Sequence, residues 1–106
     1  MTGPARADDN TPESGTSAVV RDVEIVNKLG LHARAAMKFV QTAEQFKAAI
    51  AVARGHESVD GTSILDILML AAGQGATITI TATGEDAPAA MDALCVLVSG
   101  RFGEED

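Results

Sequence analysis

A chain of 106 residues has room for one domain and one core, and its 46% hydrophobic content supplies one, filled mainly by aliphatic side chains because Phe39, Phe46 and Phe102 are the only aromatics. The formal net charge of −7, with 8 Lys and Arg against 15 Asp and Glu, argues against a nucleic-acid partner, whose phosphates need clustered cations. Cys95 is the single cysteine, which excludes an intrachain disulfide framework, and with only His32 and His56 beside the carboxylates no metal site is expected.

Residues 1–18 carry no large apolar side chain beyond Met1 and are rich in Pro, Gly, Ser, Thr and Asp. Such a segment cannot bury enough area to offset its ordering entropy, so it reads as a disordered tail ahead of a domain at 19–106. It lacks the apolar stretch of a secretory signal, and its acidic residues do not suit a transit peptide. No run reaches the roughly 18 apolar residues that a bilayer crossing needs.

From Val19 to Val26 the chain alternates, with Val19, Val23 and Ile25 on one face and Asp22 and Glu24 on the other, the pattern of a half-buried strand. Ala33 to Phe46 places Ala36, Phe39, Val40 and Ala43 on one helical stripe. Ala48 to Arg54 reads as a second strand with Ile50 and Val52 inward. Arg54-Gly55-His56-Glu57 is a turn, in which His56 reads as a solvated residue, and Ser58 to Asp60 is a short third strand. A second helix is expected over Ser63 to Ala72, ended by Gly73-Gln74-Gly75. Ala76 to Thr83 sets Ile78, Ile80 and Ala82 against four threonines, which favours an antiparallel sheet covered on one side. The last helix runs from Asp86 to Arg101, with Pro88 tolerated in its first turn and Ala90, Met91, Leu94, Cys95, Leu97 and Val98 facing inward. Cys95 on that stripe reads as a buried, inert thiol. The order β-α-β-β-α-β-α implies an α+β two-layer sandwich; strand order does not follow from pattern.

The stretch Asn27-Lys28-Leu29-Gly30-Leu31-His32-Ala33-Arg34-Ala35-Ala36 joins the first strand to the first helix. The first turn of a helix offers backbone N–H groups without intrahelical acceptors and partial positive charge, a ready site for an anion. Imidazole is a nucleophile that titrates near neutrality and can take up and release a phosphoryl group. Arg34 adds a planar cation suited to phosphate oxygens, at a position where a cation otherwise opposes the helix dipole. His32 also reads, more plainly, as a loop histidine or a helix cap, and Arg34 as a solvated first-turn cation.

This stretch resembles the core motif G-[LI]-H-x-R-P-A of the HPr family of histidine phosphocarriers of the bacterial phosphotransferase system. Gly30, Leu31, His32, Arg34 and Ala36 match, and Ala35 stands where most members have proline. The lead-in Asn27 to Gly30 and the ending Arg-Phe-Gly-Glu-Glu-Asp look most like the nitrogen-related NPr branch. The resemblance spans residues 20–103. It implies an open-faced two-layer sandwich with four antiparallel strands in the order 1-4-2-3 and three helices on one face. It implies a phosphoryl carrier rather than a turnover enzyme, monomeric, cytoplasmic and without a cofactor. It takes phosphate on His32 Nδ1 from phospho-enzyme I, charged by phosphoenolpyruvate, and passes it to an enzyme IIA. Arg34 carries over as the residue that neutralises phosphate.

Alanine at position 35 restores a first-turn N–H that proline would lack. Nothing in phosphotransfer needs a proline ring, so the change bears on loop rigidity and partner preference. Ser63-Ile64-Leu65-Asp66 resembles a helix capping box with Asp in the last place. The family adds a second role for Ser63, phosphorylation by an HPr kinase/phosphorylase that weakens docking to enzyme I. The second helix is apolar over Ile64 to Ala71, more than one covered side can bury, and exposed apolar patches mark contact surfaces. By matching position, Met37, Gln41, Ile64, Leu65 and Leu68 form the docking face. The competing readings are a non-catalytic binding module that docks a transcription factor or enzyme, and a sugar-uptake HPr.

Overall fold

Alternation of apolar and polar side chains gives the chain four short strands, each able to bury one face only. The computed structural model describes residues 18–104, and the expected tail, apart from Ala18, lies outside the described residues, as do residues 105–106. In chain order the elements are β1 (Ala18–Glu24), α1 (Ala33–Ala43), β2 (Ala49–Arg54), β3 (Glu57–Asp60), α2 (Ile64–Met69), β4 (Thr77–Thr83) and α3 (Ala87–Ser99), followed by a 3₁₀ turn at Arg101–Gly103.

The strands form one antiparallel sheet in the order β1-β4-β2-β3, which is 1-4-2-3. Its register sets Val23 opposite Ile78, Ile50 opposite Ala82, and Val52 opposite both Ile80 and Val59. Those side chains meet Phe39 and Val40 of α1, Ile67 of α2, and Met91, Leu94 and Val98 of α3 in one core. Each such large side chain contributes about 1.5–3 kcal/mol on full burial. The other face is wet: the Thr79 hydroxyl donates to Asp22 Oδ1 at 2.7 Å between paired strands. Three helices on one face of an open sheet is the expected α+β sandwich.

Several element ends differ from expectation. Helix α1 stops at Ala43, because Gln45 and Phe46 N–H groups turn to the carbonyls three residues back, Thr42 and Ala43, and tighten the last turn. Helix α2 is only six residues long. Ala71 adopts φ +52°, which breaks the helix, and Arg54 Nη1 donates to the Leu70 and Ala71 carbonyls at 3.0 and 3.2 Å, capping its end from the sheet. On α3, Cys95 and Leu97 are only partly buried against the core, at the margin of the inward stripe. The sandwich thus leaves the β1–α1 loop and the starts of α1 and α2 to carry whatever chemistry the domain has.

Candidate functional site

The loop between β1 and α1 is laced to the segment that follows α2. Ile25 N–H donates to the Ala76 carbonyl at 2.8 Å, Gly75 N–H donates to the Ile25 carbonyl at 2.7 Å, and Leu31 N–H donates to the Ala72 carbonyl at 2.9 Å. Gly30 makes this approach possible. Its φ is +70°, and a Cβ there would lie 2.8 Å from both Ala72 O and Gly73 Cα. The Gly30 carbonyl accepts from His32 N–H at 2.9 Å and from Asn27 Nδ2 at 2.8 Å. The chain therefore enters α1 in a fixed pose.

His32 is the N-cap of α1, with extended backbone at φ −79° and ψ −179°. Its Nδ1 accepts from Arg34 N–H at 3.3 Å, and its carbonyl accepts from Ala36 N–H at 2.8 Å. On the far side of the ring, Nε2 contacts Glu104 Oε2. A carboxylate partner requires a proton on Nε2, and an N–H partner requires a lone pair on Nδ1. The hydrogen-bond network therefore assigns the Nε2–H tautomer. Nδ1, with its lone pair, points at the helix N-terminus, where unpaired N–H groups and the dipole favour an anion. Of the readings the sequence offers, the helix-cap geometry is the one formed here.

Glu104 was not among the expected site residues. It lies 72 positions from His32, in the ending that the sequence marks only by its likeness to the NPr branch. The available signal was Phe102, an apolar residue just beyond the last helix, which is 1% exposed. Glu104 Oε1 accepts from Asn27 Nδ2 at 2.9 Å, and Asn27 is fully buried. The hydrogen bond from His32, then that from Asn27, holds the Glu104 carboxyl below the ordinary glutamate range, against a smaller opposing effect of burial. Lys38 Nζ donates to the Phe102 carbonyl at 2.6 Å and ties the same segment to α1.

The remaining expected residues lie on the surface of α1 and α2, which pack against each other. Met37, Ile64 and Leu65 are 42, 38 and 70% exposed, and Gln41 is exposed. Leu68 is instead partly buried against the core, because it falls beside Ile67 on the inward side of a short helix. Met69 and Leu29, 72 and 68% exposed, are apolar surface residues beyond the expected set. Ser63 caps α2 and accepts from Asp66 N–H at 3.3 Å. The reciprocal half of the capping box does not form, since Ser63 N–H donates to the Asp60 carbonyl at 3.2 Å. Ahead of it, Asp60 Oδ1 accepts the Thr62 N–H at 2.8 Å and the Thr62 hydroxyl at 2.7 Å, and these bonds lower the Asp60 pKa. His56 is exposed and sits in the β2–β3 turn. Arg34 is exposed on the first turn of α1, on the helix end that His32 caps. Among the described residues no group of three or more His, Cys, Asp or Glu side chains is placed to hold a metal ion.

The family model for the PTS HPr component phosphorylation site matches residues 19–99. This chain belongs to the HPr family. It is similar to phosphocarrier protein HPr of Cupriavidus necator, 49% identical over 84 residues that cover 79% of this chain and 94% of that one. It is equally similar to phosphocarrier protein NPr of Shewanella violacea, 49% identical over 84 residues, 79% of this chain and 92% of that one. The fold matches a crystal structure of HPr from Thermoanaerobacter tengcongensis with a TM-score of 0.80 and 41% identity, covering 83% of this chain and 99% of that one. HPr and NPr names thus occur at equal identity. No helix among the described residues is long and apolar enough to cross a membrane.

Proposed function

We propose that this HPr-family chain carries a phosphoryl group on His32 Nδ1, accepting it from phospho-enzyme I and passing it to an enzyme IIA, as a cytoplasmic monomer. The observation that carries the reading is the pose of His32: an N-cap whose Nδ1 lone pair faces the N-terminus of α1. In the transfer, Nδ1 attacks phosphorus while the bond to the donor breaks and its electron pair leaves with the donor. The transferring group spreads negative charge over its oxygens, which helix N–H groups and the Arg34 guanidinium stabilise. The planar fork of donors on the Arg34 guanidinium suits phosphate oxygens. The exposed apolar side chains of Met37, Ile64 and Leu65 suit a surface that meets several protein partners in turn.

Incubation with enzyme I and phosphoenolpyruvate is expected to place an acid-labile phosphate on His32. His32→Ala abolishes it and His56→Ala does not. Labelling that persists in His32→Ala overturns the carrier reading. The lead-in Asn27 to Gly30 and the Arg101 to Asp106 ending favour a regulatory chain of the nitrogen type. Preferential transfer to a sugar-specific IIA would count against that branch. The second reading, a binding module without phosphotransfer, draws on the same exposed apolar side chains; it requires His32→Ala to leave all partner effects intact.

A further inference from the structure

After α3 the chain does something costly. Arg101, Phe102 and Gly103 take φ values of +61, +54 and +78° in succession, and two of the three are not glycine. A non-glycine residue held there is strained, and the conformation persists only where surrounding contacts over-determine it. Those contacts are present. Phe102 is buried in the core, its carbonyl takes the Lys38 ammonium, and Gly103 and Glu104 N–H groups close onto the Gly100 and Arg101 carbonyls at 3.1 and 2.9 Å. The turn delivers one side chain, Glu104, to the back of the His32 ring. There Asn27, fully buried, holds the other carboxylate oxygen.

We propose that Glu104 is a positioning residue for phosphoryl transfer at His32, fixing the ring as the Nε2–H tautomer and keeping Nδ1 clear of a proton throughout the cycle. The inference rests on the carrier reading above. Before transfer, a proton on Nδ1 would block attack; the Glu104 carboxylate binds Nε2–H and holds the proton on the far nitrogen. When the Nδ1–P bond forms, the ring carries phosphorus on Nδ1 and hydrogen on Nε2 and becomes cationic. The carboxylate then faces that charge, and the Lys38 ammonium acts on the same carboxylate. On transfer onward the acceptor attacks phosphorus, the Nδ1–P electron pair returns to the ring, and the neutral Nε2–H tautomer is restored. No proton moves in either direction. A carboxylate is needed because it accepts from two donors, His32 Nε2–H and Asn27 Nδ2. An amide at position 104 presents its oxygen to one of these donors and its NH2, itself a donor, to the other.

The test uses the full chain with uniform ¹⁵N labelling, at a pH where the His32 ring is neutral. In the wild type, His32 is expected to show a protonated Nε2 and a bare Nδ1. Glu104→Gln and Glu104→Ala are expected to shift population toward the Nδ1–H form, and to slow phosphotransfer from enzyme I about tenfold, the order of one lost charge-assisted hydrogen bond. Dispersed backbone spectra identify folded variants, and the tautomer is read from those same samples. A wild type that is labelled on His32, with either tautomer or rate unchanged in both folded variants, overturns this role for Glu104 alone. A wild type that takes no phosphate on His32 overturns the carrier reading and this role with it, whatever the tautomer.

Discussion

Asn27 Nδ2 donates to Glu104 Oε1 at 2.9 Å, a bond between the loop that follows the first strand and the last described residue, 77 positions away. The same amide group donates to the Gly30 carbonyl at 2.8 Å, so one buried side chain holds both the loop that leads into His32 and the carboxylate behind it. Asn27→Ala removes both bonds. It is expected to destabilise the fold by about 1–3 kcal/mol, from the loss of two hydrogen bonds, one of them to a carboxylate. Urea denaturation checks this, and an unchanged midpoint would mean that the two acceptors find water instead.

The Glu104 carboxyl predicts a pH dependence. Its pKa in the folded protein lies below the ordinary 4.5, held there first by His32 and then by Asn27. A carboxyl with a depressed folded pKa contributes stability that is complete above its unfolded pKa. That contribution declines as pH falls through the folded value, because the unfolded chain binds the proton more tightly. Wild type is therefore expected to lose more stability than Glu104→Gln on acidification through the carboxylate range. Carbon NMR of the Glu104 carboxyl should give a midpoint below an ordinary glutamate, moving up in Asn27→Ala. A midpoint at or above the ordinary value would contradict the bonding described.

Gly30→Ala tests the seam between the His32 loop and the segment after α2. The added methyl group meets backbone, Ala72 O and Gly73 Cα at 2.8 Å, and the residue must hold φ +70°. Neither neighbour is a flexible side-chain end that could move aside. The expected cost is about 2 kcal/mol or more. Phosphorylation should fall beyond what the lost folded fraction explains, since Leu31 and His32 follow directly. Wild-type stability in this variant would show that the loop relaxes freely.

These relationships divide into those a sequence can carry and those it cannot. Strand alternation in Thr77–Thr83 and the stripe of Ala36, Phe39, Val40 and Ala43 are local patterns, and their burial follows from period alone. His32 at the helix start is legible for the same reason. The end of α2 is not, because it depends on Arg54 reaching from the sheet to the Leu70 and Ala71 carbonyls. Leu68 looks like Leu65 in sequence, and only the packing of a six-residue helix separates the exposed one from the half-buried one. Glu104 depends on a backward turn through three left-handed residues, which no charge pattern announces.

Arg34→Ala is expected to slow phosphotransfer without unfolding the protein. Arg34 is exposed on the first turn of α1, where its charge opposes the dipole, so alanine should leave stability unchanged or slightly raise it. Its backbone N–H, the group that meets His32 Nδ1, is kept. A rate loss of about tenfold or more would be an effect of the guanidinium on the transferring group. Circular dichroism and rapid-quench transfer from phospho-enzyme I measure the two sides. A wild-type rate would place Arg34 among ordinary solvated cations.

Ser63→Asp separates docking from stability at the start of α2. The serine hydroxyl caps Asp66 N–H at 3.3 Å, and a carboxylate can do the same, since Asp is a good N-cap and suits the dipole. Asp60 and Asp66 flank the position, but both are exposed, so their repulsion is screened. The melting temperature should therefore hold. If enzyme I contacts Ile64 and Leu65, the new charge must lose water against an apolar surface. Affinity for enzyme I is then expected to fall roughly tenfold or more. Titration calorimetry with enzyme I reads the affinity and thermal melting reads the fold. Unchanged affinity would place this helix end outside the interface. A lower melting temperature would make Ser63 mainly structural, with a hydroxyl contact that Asp cannot replace.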